Sequence, residues 1–168
     1  DQRELYVKST KGNVSGYRMI QQLFDLEPKS VKTDLNEAMK FTLQTIKRKS
    51  IIFIISDFID LDLEKNLIHL AQQHDLICIQ LQDDRELNFP KLGIIPLKDV
   101  EQGKTVWVNT NSSNFATLFS KKQQQNRLDL EDLGKKYRFN FLSINTNDDF
   151  VPQLVRLFKI RNLSKKRA

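Results

Sequence analysis

Lys32 to Asp60 reads KTDLNEAMKFTLQTIKRKSIIFIISDFID, a helix, a tight basic turn, a strand and an acidic loop in 29 residues. Leu35, Ala38, Met39, Leu43 and Ile46 fall at helical spacing, which puts them on one face. Thr33 or Asp34 can cap that helix, and Asp34 with Glu37 has capping-box spacing. Ile51 to Ile55 then run apolar without alternation, the pattern of a strand covered on both faces. Such strands belong to parallel sheets, whose ligands bind beyond the strands' carboxyl ends. Ser56, Asp57 and Phe58 occupy that end.

Outward from this stretch the chain alternates. Glu4 to Ser9 reads as a short strand ended by Lys11-Gly12-Asn13, and Tyr17, Ile20, Leu23 and Phe24 predict a helix over Val14 to Leu26. On the other side, Leu63, Leu67, Leu70 and Ala71 predict a helix to about Gln73, closed by His74-Asp75. Leu76 to Leu81 reads as a second buried strand and Phe139 to Ile144 as a third. Ile94 to Leu97 and Thr105 to Val108 flank the turn Glu101-Gln102-Gly103-Lys104, a hairpin carrying the single Trp, with Pro96 arguing for an edge. A long polar helix runs from Ser112 or Ser113 to about Tyr137, with Phe115, Leu118, Phe119, Leu130 and Leu133 as apolar anchors. The last helix starts at Asp148-Asp149, tolerates Pro152 in its first turn, and packs through Leu154, Leu157 and Phe158. Helices alternating with buried strands define an α/β, three-layer fold with a mostly parallel sheet.

Composition narrows the function. The 168 residues form one domain, 1–168, with a basic tail over about 162–168; 39% hydrophobic and 29% charged residues mark a globular chain. The net charge of +6 is spread over short clusters, Lys47-Arg48-Lys49, Lys121-Lys122, Lys135-Lys136-Tyr137-Arg138 and Lys165-Lys166-Arg167, which read as solvated surface. The one cysteine, Cys78, excludes a disulfide framework and a cysteine-built zinc site, and reads as a small core residue. No G-x-G-x-x-G, phosphate-binding loop, G-x-S-x-G or H-E-x-x-H occurs. His69 and His74 have no His or Cys partner at ligand spacing, and a capping or surface role is expected of His74. What remains is oxygen chemistry. Thr33, opening a helix, and Asp57, ending a strand, offer a hydroxyl and a carboxylate of the kind that hold Mg²⁺ or Mn²⁺ with several waters. Both also suit plain capping roles.

An ordered set of short runs carries a resemblance. T-D-L-x-x-A-M at Thr33 to Met39, S-D-F at Ser56 to Phe58, H-D-L at His74 to Leu76, D-x-R-E-L-x-F-P-x-L-G at Asp83 to Gly93, D-V-E-x-G at Asp99 to Gly103, V-N-T at Val108 to Thr110 and L-F-K-I-R at Leu157 to Arg161 are similar to the bacterial domain-of-unknown-function 58 family, whose members are von Willebrand factor A-like. The resemblance implies a Rossmann-like, von Willebrand A-type fold with a metal-ion-dependent adhesion site at the sheet's carboxyl edge. Thr33 matches the site's second position and Asp57 its third. The first-position Asp-x-Ser-x-Ser loop is absent, as are the N-terminal strands around it. The resemblance therefore implies the carboxyl-terminal two-thirds of such a domain, with a partial metal site. Asp83-Asp84 stands where members often carry Asp-Pro, and Asn109 where an Asp is common.

The resemblance further implies a non-enzymatic protein-interaction module that partners a MoxR-type AAA+ ATPase. Asp34, Phe58, Asp83 and Glu86 are the candidate partner-binding residues, and Mg²⁺ or Mn²⁺ is the cofactor expected of the intact domain. In the implied sheet order the strand at Ile51 to Ile55 loses a neighbour, so dimerisation, or a swap of the Glu4 to Ser9 strand, is expected to cover its edge. The expected compartment is the bacterial cytoplasm, with any membrane anchor lying upstream of Asp1. Two other classes stay open on the residues alone. One is a Mg²⁺-dependent nuclease or phosphatase using Asp34, Asp57, Asp83 and Glu86, and the other is a basic nucleic-acid-binding domain.

Overall fold

The structure is a computed structural model, and it describes residues 5, 7, 12–27, 34–59, 62–83, 91–98 and 105–165. Thr33, Glu86, the hairpin turn at 101–104 and, apart from Leu5 and Val7, the expected strand at Glu4 to Ser9 lie outside them. The described elements are α1 (Asn13–Phe24), α2 (Leu35–Thr45), β1 (Ile51–Ser56), α3 (Glu64–Gln73), β2 (Asp75–Gln82), β3 (Ile94–Lys98), β4 (Thr105–Asn109), α4 (Ser113–Tyr137), β5 (Asn140–Asn145) and α5 (Phe150–Lys165). This is a mixed α/β, Rossmann-like fold. Its main sheet is fully parallel, in the order β1-β2-β5, with Ile51 opposite Asp75 and Cys78 opposite Phe141.

Helices cover both faces. On one, Met39 of α2, Leu67 and Leu70 of α3, and Leu130 and Leu133 of α4 pack on Ile54, Leu76 and Cys78. On the other, Leu154 and Leu157 of α5 pack on Ile77, Ile79 and Ile144. The long runs of β2 and β5 thus have the two-sided cover that parallel strands need. β1 does not. Its burial alternates, with Ile52 and Ile54 facing the core and Ile51, Phe53 and Ile55 exposed at 53%, 46% and 60%. The expectation that Ile51 to Ile55 is covered on both faces is corrected here. α5 lies over β2 and β5, and a contact between the Phe158 and Phe53 rings, 6.2 Å between centroids, marks its reach towards β1. Helix α1 forms where its periodicity predicts, yet none of its residues is buried.

Local chemistry sets the element ends. Asp34 is the N-cap of α2, its Oδ1 accepting from Glu37 N–H at 2.9 Å. His74 ends α3 with its backbone N–H donating to Leu70 C=O at 2.8 Å. Its ring is buried and neither ring nitrogen is hydrogen-bonded among the described residues, so the expected surface role does not hold. Arg138 takes the left-handed conformation (φ 61°) that closes α4, and Phe139 then folds back to donate to Gly134 C=O. Glycine suits position 134, because a Cβ would stand in tight contact, 3.0 Å, with Phe139 C=O. At the amino edge of the sheet, Arg161 of α5 binds Asp75 of β2 and Asn140 of β5.

The hairpin β3–β4 forms its own two-stranded antiparallel sheet, with Pro96 opposite Trp107. Buried Thr110 closes its base: Leu92 N–H donates to Thr110 Oγ1 at 2.8 Å, and Thr110 N–H and Oγ1 both reach Gly93 C=O. Helix α4 returns the chain to the amino end of β5. Its 25 residues span about 37 Å at 1.5 Å each. The six residues of β5 span about 20 Å. The amino-terminal half of α4 therefore overhangs the carboxyl edge, and Leu118, expected as an anchor, is 68% exposed there.

Candidate functional site

The carboxyl edge of β1 is built around one carboxylate. Asp57 follows the last strand residue, and its Oδ1 accepts from Ser56 Oγ at 3.2 Å and from Ile59 N–H at 3.3 Å. Ser56 Oγ itself accepts from Phe58 N–H at 3.2 Å. From the neighbouring strand, Gln80 Nε2 donates to Asp57 C=O at 3.1 Å. The turn is therefore held from both sides, with Asp57 on the surface and Oδ1 committed. Oδ2 is the oxygen left for a ligand.

Phe58 locks this turn from beneath. Its backbone is left-handed (φ 56°), uncommon for a bulky residue, and its side chain is 4% exposed in the core against Phe141. A ring so placed offers a partner no surface, so Phe58 acts as the anchor of the turn and not as a contact residue.

The other expected site residues fall as follows. Asp34 lies at the start of α2, with one oxygen occupied by its cap. Helix α2 is tied to α3 by Asn66 Nδ2 donating to Asn36 Oδ1 at 2.7 Å. Asp83 sits one residue beyond β2 and is half-buried. Thr33 and Glu86 lie outside the described residues. Among those described, no three His, Cys, Asp or Glu side chains converge as a metal-binding group. The donors present at the edge are nonetheless oxygens, and a hard cation such as Mg²⁺ takes few protein ligands and keeps its waters. Asp57 fits one such ligand position. Cys78 is fully buried and its thiol is pushed up to about 12 by burial, which removes it as a nucleophile.

Sequence reasoning found Asp57 and missed what holds it. Ser56 as a clamp carries no distinctive signal. Gln80 does, because a polar side chain in the apolar run of β2 must find a partner when buried.

Comparison with known proteins places the chain in a family. The profile of "Protein of unknown function DUF58" matches residues 1–129, and the chain belongs to that family. An uncharacterized protein of Mycobacterium avium is 27% identical over 135 residues, covering 80% of this chain and 79% of that one. Uncharacterized proteins of Mycobacterium bovis and Mycobacterium tuberculosis are each 24% identical over 135 residues, again 80% of this chain. Against those two the match spans 42% of the relative's length. No solved structure matches. No helix among the described residues is long and apolar enough to cross a membrane.

Proposed function

We propose that this chain is a von Willebrand A-type protein-interaction module that breaks no bond and works with a MoxR-type AAA+ ATPase. The observation that carries the reading is the Asp57 carboxylate, held by Ser56 and Ile59 while Gln80 holds its backbone C=O, at the carboxyl edge of a parallel sheet. Membership of the DUF58 family supports it, taken with the resemblance of the Thr33 to Met39, Ser56 to Phe58 and Asp83 to Gly93 runs to von Willebrand A-like proteins. In this reading Asp57 and Thr33 supply oxygens to Mg²⁺ or Mn²⁺ in the intact domain. The bound cation presents an open position to a carboxylate of the partner. The module acts in the cytoplasm, and Asp34 and Asp83 flank the contact.

The test is titration of the full-length protein against a MoxR-type ATPase of its own genome, in Mg²⁺ and again in EDTA. Binding in Mg²⁺ that is lost in EDTA and in Asp57→Ala, with the thermal transition retained, is the expected result. Unchanged affinity in Asp57→Ala overturns the metal-edge reading.

A further inference from the structure

A second site lies at the same end of the sheet, on the face covered by α4. A cavity of about 230 Å³ opens there, lined by Gln82 of β2 and by Ser120, Gln123, Gln124 and Arg127 of α4. The lining is unusual for its position. Along the inward face of β2, Leu76 and Cys78 are core, and the next two inward positions are Gln80 and Gln82, both buried. Across the cavity from Gln82, α4 offers the half-buried Gln123 and Arg127, with Ser120 and Gln124 exposed beside them. Packing alone would favour leucine or isoleucine at a buried strand position such as Gln82. Gln80 is accounted for by its bond to Asp57 C=O, and Gln82 beside the cavity is explained if it meets something polar there.

Their chemistry defines the ligand. The lining residues include one cation and no carboxylate. Ser143 Oγ donates to Gln82 Oε1 at 2.9 Å, which leaves the Gln82 NH₂ to donate. Arg127 Nε is shielded from solvent and makes no hydrogen bond among the described residues. Glu131 Oε1, one turn away, stands at 3.7 Å, within ion-pair range but beyond hydrogen-bond length, and the Arg127 side chain stays 41% exposed. A guanidinium with amide and hydroxyl donors matches the planar, singly charged carboxylate, which Arg grips through two parallel N–H···O bonds. At about 230 Å³ the cavity is smaller than the roughly 300–1,000 Å³ of sites that enclose a whole cofactor. It suits the carboxylate end of a small molecule.

We propose that this cavity binds a small carboxylate, gripped by Arg127 and oriented by Gln82, Ser120, Gln123 and Gln124. The site is independent of the Asp57 edge and needs no cation.

The experiment is an NMR titration of the ¹⁵N-labelled chain with acetate at constant ionic strength, with inorganic phosphate in a parallel series. Saturable shifts of the Arg127 Nε–H and of the Gln82, Gln123 and Gln124 side-chain amides in acetate are expected. Arg127→Gln weakens the acetate affinity at least tenfold, and Arg127→Lys weakens it by less, since charge survives and the fork is lost. Asp57→Ala leaves it unchanged. Arg127 is partly exposed on a helix, so both of its variants fold, as their backbone spectra will report. Shifts that grow linearly and equally in chloride, tighter binding of phosphate than of acetate, or an Arg127→Gln protein that still saturates would each overturn the proposal.

Discussion

Phe58 is held in a backbone conformation that costs about 1–3 kcal/mol for a residue with a Cβ. Truncating a buried phenylalanine costs about 3–5 kcal/mol, so burial outweighs the strain and the side chain fixes the turn. Phe58→Ala is therefore expected to lower stability by about 3 kcal/mol in a denaturant titration, and to release Asp57 with it. Cys78 yields a prediction with a definite pH window. Its folded thiol is raised from 9.0 to about 12 by burial, so the protonated form is the one that the fold prefers. That preference is fully present below about pH 9 and is lost as pH rises towards 12. Stability of the native chain should fall across that interval, and Cys78→Ala should remove this component of the slope. Asp57 was legible in the sequence because a carboxylate ending an apolar run is conspicuous. Phe58's inward turn was not, since nothing in S-D-F distinguishes a ring that faces a partner from one that faces the core.

At the scale of elements, every helix and strand among the described residues follows from periodicity, and boundaries shift by a residue or two. The one error of kind is instructive. The run Ile51 to Ile55 is as apolar as Leu76 to Ile79, yet only the second is covered on both faces, because cover depends on where α5 lands and no local pattern encodes that. Among the described residues β1 pairs with β2 alone. Its outer edge and its exposed Ile51, Phe53 and Ile55 form a pairing surface of the kind that promotes association. The chain on its own is expected to self-associate through β1, and sedimentation is the measurement that checks it. Ile55→Lys should return it to monomer, and self-association unchanged in that variant would place the contact elsewhere.

Across the whole molecule, Arg161 joins the last helix to both β2 and β5 at the amino edge, opposite the candidate sites. Breaking a fully buried ion pair costs about 3–5 kcal/mol, and Asp75 keeps 28% of its side-chain surface in water. Arg161→Ala should therefore cost about 2–3 kcal/mol, lowering the thermal midpoint by roughly 4–12 °C for a chain of this size. Binding at either candidate site should survive, since both lie at the far end of the strands. The sequence allowed the layer architecture to be read because alternation and buried runs report on layers. The cavity beside α4 escaped notice because it depends on how far a 25-residue helix overshoots its strand, a length relation between separated segments.

The hairpin β3–β4 has hydrogen bonds of its own and is closed at its root by Thr110. It is thus a cassette clipped into the path from β2 to α4, and among the described residues it shares no strand pairing with the parallel sheet. Trp107, exposed on β4, is free to diverge between relatives at little cost to the scaffold. Exchanging residues 92–110 between two family members should then transplant whatever recognition the hairpin carries, as one heritable unit.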